Sequence, residues 1–279
     1  MTADSWAKAV RRQLGFGRVL PLGGPHDGAW ITESAARTAL RSAATPLRGL
    51  TLGRLRISPV DSGEEKGEVA DGHGHETAVP PPPSALPPGP LRVTADLAAS
   101  AGPAAEPLPA TAARLRKALF TAAGERLGLT VAEVDLRVTL LVETDTGPSG
   151  QLGADAESFG PAPSSSSPTA AASTAPTAAV GDDEEAQVAA AALSVPGVAR
   201  LTGVFGGLGV LGGLGGVDGP ARSVDIAAGP ALSRRHVRVE LAVTEERRAL
   251  DVAREVRAAV SDSLPDRPSV AVLVTAVGT

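Results

Sequence analysis

Alternating and helix-spaced apolar residues define one unit near the end of the chain. Residues 236–243 alternate apolar with other side chains, which predicts a strand. Apolar residues then recur at helical spacing until Pro265, which ends the helix. These helical positions are Leu250, Val252, Ala253, Val256, Ala259, Val260 and Leu264. Val270 opens a second alternating run, so the pattern predicts strand, helix, strand over 235–277.

An earlier stretch, 91–142, repeats this pattern in the same order. Its helical positions Leu115, Leu119, Ala122, Ala123 and Leu127 match Val252, Val256, Ala259, Val260 and Leu264. Its second strand matches too, since Val134, Leu136 and Val138 correspond to Val270, Val272 and Val274. Order, spacing and helix register agree together, which favours an internal duplication over two unrelated strand–helix–strand units.

Each copy also has a predicted helix and strand before this pattern, and these agree less well between the two copies. Residues 32–44 and 185–193 are predicted helices, and residues 52–57 and 222–227 are predicted strands. The predicted fold class is therefore α+β, with two tandem α-β-β-α-β units that each build a small mixed sheet. In each unit the first two strands pair antiparallel, and a right-handed crossover places the last strand parallel to the second.

Two segments separate these patterns and are predicted to be disordered. Residues 61–89 are acidic and then proline-rich, and form an insert in the first unit, 1–143. Residues 144–184 are rich in Ala, Ser, Thr and Pro, and link it to the second unit, 185–279. A linker of this length allows the two units to pack together or to act separately.

Composition removes several chemistries. Cysteine is absent from the 279 residues, which excludes disulfides, thiolate catalysis and Cys-ligated metals. Aromatic residues make up 2% of the chain, so the cores must be built from Val, Leu and Ala. We see no signal peptide and no apolar run long enough to span a bilayer, and expect a cytoplasmic protein, peripheral at the inner membrane face.

The positive charge is concentrated at the beginning of the chain. Residues 1–60 hold nine basic and three acidic side chains, whereas the net negative charge lies in the two predicted disordered segments. An amphipathic helix with Lys8, Arg11 and Arg12 is predicted over 4–14, and it packs on its own domain or docks on an anionic surface or partner. The residues expected to contact that membrane or partner are Trp6, Lys8, Arg11, Arg12, Phe16 and Arg18.

Candidate catalytic and ligand-binding patterns are weak. His73 and His75 could bind a metal, but they lie in an acidic segment without a fixed geometry. The spacing Gly207-x-Gly209-x-x-Gly212 matches a dinucleotide fingerprint without the strand and helix that must flank it. We therefore predict no catalytic residue, no metal, no cofactor and no small-molecule substrate.

Other pairs of polar residues have structural explanations. Asp27 beside His26 lies in a Pro- and Gly-rich stretch, which favours a solvated turn over an acid–base pair. Glu245 and Glu246 precede a predicted helix, whose dipole favours acidic residues there.

The segment from Glu185 onward resembles the alkaline shock protein, or envelope stress response, family. The resemblance is carried by the turn Val195-Pro196-Gly197-Val198, by the strand 236–243, by the helix 249–257 and by the closing strand 270–277. It covers about a third of the chain, and the first unit would be a diverged second copy. The long insert and the Gly-rich stretch 203–219 depart from the family pattern.

The resemblance implies a non-catalytic scaffold at the inner face of the cell envelope that acts through protein partners and self-association. The basic first sixty residues add an anionic membrane surface as an expected contact. A nucleic-acid-binding module using the same basic region is the second hypothesis, although stacking aromatics are nearly absent. An uncharacterised enzyme with a site assembled from distant residues is the third.

Overall fold

The computed structural model describes residues 17–60, 79–82, 84–103, 105–143, 180–203, 223–227 and 235–278. The helices within them are α1 (Glu33–Ala44), α2 (Leu108–Thr121) with a π-helical turn (Ala122–Leu127), α3 (Val180–Leu193) and α4 (Ala249–Ser263). The strands are β1 (Val19–Pro21), β2 (Ala29–Thr32), β3 (Leu50–Pro59), β4 (Leu91–Ala101), β5 (Val131–Glu143), β6 (Val198–Leu201), β7 (Val224–Ala227), β8 (His236–Val243) and β9 (Ser269–Val277).

These strands form two mixed sheets with the same internal order. In the smaller sheet β3 pairs antiparallel with β4, and β4 pairs parallel with β5. In the larger sheet β6 and β7 pair antiparallel with β8, and β8 pairs parallel with β9. The predicted α+β class with two small mixed sheets and these strand directions is therefore confirmed, with one difference: two short strands, β6 and β7, precede β8 where the sequence predicted only one.

The larger sheet contains a hairpin that the sequence pattern did not predict. Strands β1 and β2 pair antiparallel, and β2 then lies parallel to β9, with Ile31 opposite Val274. The first described strands thus extend the sheet of the second unit, in the order β1-β2-β9-β8-β6. With three and four residues, β1 and β2 are too short to show a clear alternation.

Part of the predicted disordered insert packs against this hairpin. Val19 donates its amide to Ser84 O at 3.2 Å and accepts from the Leu86 amide at 2.8 Å. Val79 is 5% exposed and lies in a small cluster with Trp30 on the face of the larger sheet. The prediction of disorder for 61–89 therefore does not hold for 79–82 and 84–86.

The two units share one hydrophobic core. The buried side chains of α1, α2, β3 and β4 belong to the same cluster as those of α3, α4, β8 and β9. One close contact lies at Gly128, which ends the π-helical turn at φ +92°, and where an added Cβ would lie 2.4 Å from Leu250 Cβ. Arg248 Nε also donates to Gly124 O at 3.0 Å. Of the two arrangements that the linker allows, the structure shows the units packed together.

Candidate anion-binding site

An arginine-rich groove lies on the solvent-facing side of the smaller sheet. Its volume is about 810 Å³, and six arginines line it against two carboxylates. The lining residues are Arg18, Glu33, Arg37, Arg54, Leu55, Arg56, Ser58, Arg92, Thr94, Asp96 and Arg137. We call this surface the arginine groove.

The alternation of strand side chains places these arginines on one face. In β4 the apolar side chains of Val93 and Ala95 are fully buried, so Arg92, Thr94 and Asp96 point to the other side. Strand register then brings the neighbouring strands' residues beside them: Arg56 of β3 lies opposite Thr94, and Arg137 of β5 lies opposite Asp96. The groove is thus assembled from three strands, with Arg37 of α1 and Arg18 beside them.

Two of the six arginines already have carboxylate partners. Arg18 lies 3.6 Å from Glu33 Oε2 and donates to the carbonyl oxygen of Ile57 at 2.6 Å. Arg92 contacts Glu133 at 2.6 Å and Asp135 at 3.5 Å. These two guanidinium groups therefore stabilise the wall of the groove.

The other four arginines form no ion pair with any carboxylate in the described parts of the chain. They are Arg37, Arg54, Arg56 and Arg137. Arg54, Arg56 and Arg137 are exposed, whereas the Nε atom of Arg37 is buried without a hydrogen-bond partner. A buried N–H group without an acceptor is costly, so an oxygen of a bound anion would stabilise the groove at this point.

This arrangement can bind oxyanions. A guanidinium group presents a planar fork of N–H donors that matches the oxygens of a carboxylate or a phosphate. Ser58 and Thr94 add hydroxyl groups to the same lining. Because the groove is open to solvent, its attraction for anions should weaken as salt is raised.

Of the residues predicted to contact a membrane or a partner, Arg18 lies within the described residues. Arg18 lies in the arginine groove, where it is held by Glu33 and Ile57. The other predicted contact residues, Trp6, Lys8, Arg11, Arg12 and Phe16, lie outside the described residues.

Sequence reasoning missed the role of Arg92 and Arg137. Only the pairing of β3, β4 and β5 brings them beside the arginines from the first sixty residues. The signal available in the sequence was the alternation Arg54-Leu55-Arg56-Ile57, which puts two arginines on the face opposite a buried Leu and Ile.

A second, smaller pocket is lined by one carboxylate and two arginines. It measures about 330 Å³ and lies between β3, β4 and the start of α2. Its Glu106 pairs with Arg114 and accepts a hydrogen bond from the Thr111 hydroxyl at 3.1 Å, and Arg114 also donates to Arg48 O at 3.3 Å. These contacts attach the loop before α2 to the helix and pair two of the three charged side chains in the lining with each other.

Asp27 and His236, two ionisable residues outside the groove, have structural partners. Asp27 accepts hydrogen bonds from Arg254 at 2.9 and 3.0 Å, which lower its pKa and keep it ionised. His236 shares a hydrogen bond of 2.9 Å with the Ser269 hydroxyl, and burial lowers its pKa. Asp27 therefore lies in the turn that we expected, where residues 24–26 are exposed, and it also forms an ion pair with α4 that the sequence did not predict.

The remaining ligand patterns in the sequence concern metal and dinucleotide binding. Within the described ranges, no cluster of three or more His, Asp or Glu side chains could hold a metal ion. His73, His75 and the Gly207-x-Gly209-x-x-Gly212 spacing lie outside those ranges.

The fold and the groove define an α+β protein of two tandem units with a basic face. No family model, no curated protein and no solved structure matches this chain. None of its described helices is both long enough and apolar enough to cross a membrane.

Proposed function

We propose that this protein is a non-catalytic scaffold that attaches to anionic phospholipid at the cytoplasmic face of the cell envelope. The observation that carries the proposal is the arginine groove, in which four of six arginines have no carboxylate partner in the described parts of the chain. Lipid phosphates would supply the missing oxyanions. The resemblance of the second unit to the envelope stress response family agrees with this role.

The position of the groove supports peripheral attachment. Its arginines lie on a sheet face turned away from the hydrophobic core, so the protein can contact a charged surface without unfolding. Basic side chains near an anionic bilayer each contribute about 1 kcal/mol to binding. Several arginines acting together therefore suffice for reversible binding, and the basic residues 1–16 would add to it.

Nucleic-acid binding is less well supported by this site. Sequence-tolerant recognition of single strands relies on aromatic side chains on which bases stack. The groove lining includes no aromatic residue. Phosphate contacts alone would give weak binding without selectivity.

Sedimentation of the full-length protein with vesicles tests the proposal. We expect binding to vesicles that contain phosphatidylglycerol, loss of binding at high salt, and no binding to vesicles of phosphatidylcholine alone. The double variant Arg54→Glu/Arg56→Glu should bind at least tenfold more weakly, on the order of 1 kcal/mol for each lost charge.

The matched control changes the same amount of charge elsewhere. Lys117→Glu/Arg126→Glu alters two exposed basic residues outside the groove. Equal weakening by both double variants would show that only net charge matters and would refute the groove as the site. Failure of the unaltered protein to bind anionic vesicles at low salt would refute membrane attachment. Capture of an acidic envelope protein by the same groove would then indicate a protein partner instead.

A further inference from the structure

Most of the large exposed apolar side chains in the described parts of the chain lie on two elements, α2 and β5. Six large apolar residues are prominently exposed in the described parts of the chain, and five of them lie on α2 and β5. They are Phe120, Val138, Leu140, Leu141 and Val142, with exposures between 40% and 58%. Four of the five, Val138, Leu140, Leu141 and Val142, form one exposed apolar region in the second half of β5, and such a region marks an interaction surface.

This region borders an open sheet edge. Strand β5 is the last strand of the smaller sheet and pairs with β4 on one side, and no other described strand pairs with its second side. Its 13 residues make it long for an edge strand. Arg116 Nε contacts one carbonyl group of β5, that of Val134, at 3.1 Å, and a carbonyl oxygen can accept a second hydrogen bond.

We propose that β5 pairs antiparallel with β5 of a second copy of this chain, with the two-fold axis at Leu136. Leu136 then faces Leu136 of the partner subunit, and Val134 faces the partner's Val138. On the other face of the strand, Asp135 lies opposite the partner's Arg137, and the symmetry forms this pair twice. Apolar residues thus meet apolar residues and opposite charges meet each other.

The charged residues of β5 favour the two-fold axis at Leu136 over axes at Val134, Asp135 or Arg137. Residues that face each other across two strands must lie on the same side of the sheet, so a two-fold axis must pass through a residue position. An axis at Asp135 or at Arg137 would place that charged residue opposite itself. An axis at Val134 would place Glu133 opposite the partner's Asp135. The axis at Leu136 avoids all three repulsions.

Two shifts in the register between β4 and β5 lie on either side of the segment around Leu136. The register with β4 shifts between Leu91 and Arg92 and again between Leu97 and Ala98, which leaves Ala132 and Thr139 as extra residues in β5. Residues 133–138 therefore form a regular run whose centre is next to Leu136. Arg137 has no ion-pair partner within the described chain, and Asp135 of the second copy supplies one.

The pairing also brings the exposed apolar ends together. In an antiparallel pair, the end of one β5 lies beside the beginning of the other. Leu140, Leu141 and Val142 therefore lie near the partner's first β5 residues and the end of the helix α2 that precedes them. Phe120, which is 52% exposed, lies at that end of α2. A second copy thus covers the side chains that a monomer leaves in water.

In the dimer Arg137 of each groove would pair with the partner's Asp135, which leaves Arg37, Arg54 and Arg56 of each groove for an anion. Two three-stranded sheets would join into one six-stranded sheet, with an arginine groove on each half. The proposal does not depend on lipid binding, because the edge of β5 and its charges exist whether or not the groove binds an anion. A dimer without vesicle binding would leave this inference standing while the proposed function fails.

Single-cysteine variants test the register, since the natural chain contains no cysteine. Leu136→Cys should form a disulfide-linked dimer under mild oxidation, because facing residues across two strands have Cα atoms about 5.5 Å apart. Val138→Cys is the matched control: it is more exposed, but the two cysteines would be about 13 Å apart along the strands. Cross-linking of Val138→Cys as fast as Leu136→Cys would refute the register.

Charge variants test the pairing without relying on one folded mutant. Arg137→Asp and Asp135→Arg, each alone, place like charges opposite each other and should raise the dimer dissociation constant roughly tenfold or more. A mixture of the two restores both opposite-charge pairs, so a heterodimer should form with near-natural affinity. The measurement is analytical ultracentrifugation of the full chain. A monomer at all concentrations, or variants that dimerise as well alone as when mixed, would overturn the proposal.

Discussion

Arg254 holds both carboxylate oxygens of Asp27, with Nε at 2.9 Å from one and a terminal nitrogen at 3.0 Å from the other. The pair connects α4 to the turn between β1 and β2, from positions 227 residues apart in the chain. Asp27 also accepts the Gly24 amide at 2.7 Å and so shapes that turn. One carboxylate therefore organises the hairpin and attaches it to the second unit.

Asp27→Asn should make the free energy of unfolding less dependent on pH in the acidic range. Hydrogen bonds from Arg254 lower the pKa of Asp27 in the folded state, against an opposing effect of burial. The ionised carboxylate thus contributes stability above the pKa of the unfolded state, and this contribution is lost as pH falls through the folded pKa. We expect a loss of about 1 kcal/mol at neutral pH that shrinks in acid, measured by urea unfolding at several pH values.

A control for this prediction is Glu125→Gln, which alters an exposed carboxylate on the π-helical turn. It should leave the stability nearly unchanged. An Asp27→Asn protein whose deficit stays constant down to the acid-unfolding range would show that Asp27 acts through its shape and not through its charge.

Gly128→Ala should weaken the contact between the two units. Gly128 has a φ of +92°, and an added Cβ would lie 2.4 Å from Leu250 Cβ, which belongs to the buried side of α4. Backbone strain and the overlap together should cost about 2–4 kcal/mol. Gly124→Ala is the matched control four residues earlier, where an added Cβ meets nothing within 4 Å. Thermal unfolding compares the two, and an equal effect of both substitutions would contradict the assigned contact.

Thr32→Ala should remove the N-terminal cap of α1. The Thr32 hydroxyl accepts the Ala35 amide at 3.2 Å and donates to Thr275 O at 3.4 Å, and the residue is fully buried. Loss of this cap should cost about 1–2 kcal/mol in the free energy of unfolding. Thr32→Ser keeps the hydroxyl and should retain most of that stability in the same denaturation measurement. If Thr32→Ser is as unstable as Thr32→Ala, the methyl group matters more than the cap.

His236→Gln should reduce the pH dependence of stability near neutrality. Burial lowers the pKa of His236 in the folded protein, and nearby Arg238 acts in the same direction. The unfolded state therefore binds a proton more readily, so folding loses stability as pH falls below about 6.5. Unfolding curves between pH 7.5 and pH 5.5 should show a shallower decline for His236→Gln than for the natural protein. An unchanged slope would mean that another group titrates in this range.

The long periodic elements were predictable and the short ones were not. The helix α4 and the strands β8 and β9 have apolar spacing that persists over eight residues or more, and the structure places them as expected. Strands β1, β2 and β6 have only three or four residues, and β2 and β6 pair with β9 and β8, which lie far away in the sequence. Local pattern therefore could not reveal them.

Only the positive charge of the arginine groove was predictable from the sequence. The excess of basic residues in the first sixty positions is visible in the sequence, and Arg54 and Arg56 alternate with buried residues. Their approach to Arg92 and Arg137 follows from the register of three strands, which the sequence does not specify. The location of a surface of this kind depends on tertiary structure even where its composition does not.

The parallel contact between β2 and β9 has a consequence for how this protein can be divided. The natural place to cut the chain is 144–179, yet the half before that cut would retain β1 and β2, whose sheet partner is in the other half. Neither half would then contain all the strands with which its own strands pair. Under the duplication hypothesis the two copies descend from one ancestral unit, yet both are now required for a complete fold. Experiments on isolated fragments would therefore examine an incomplete protein.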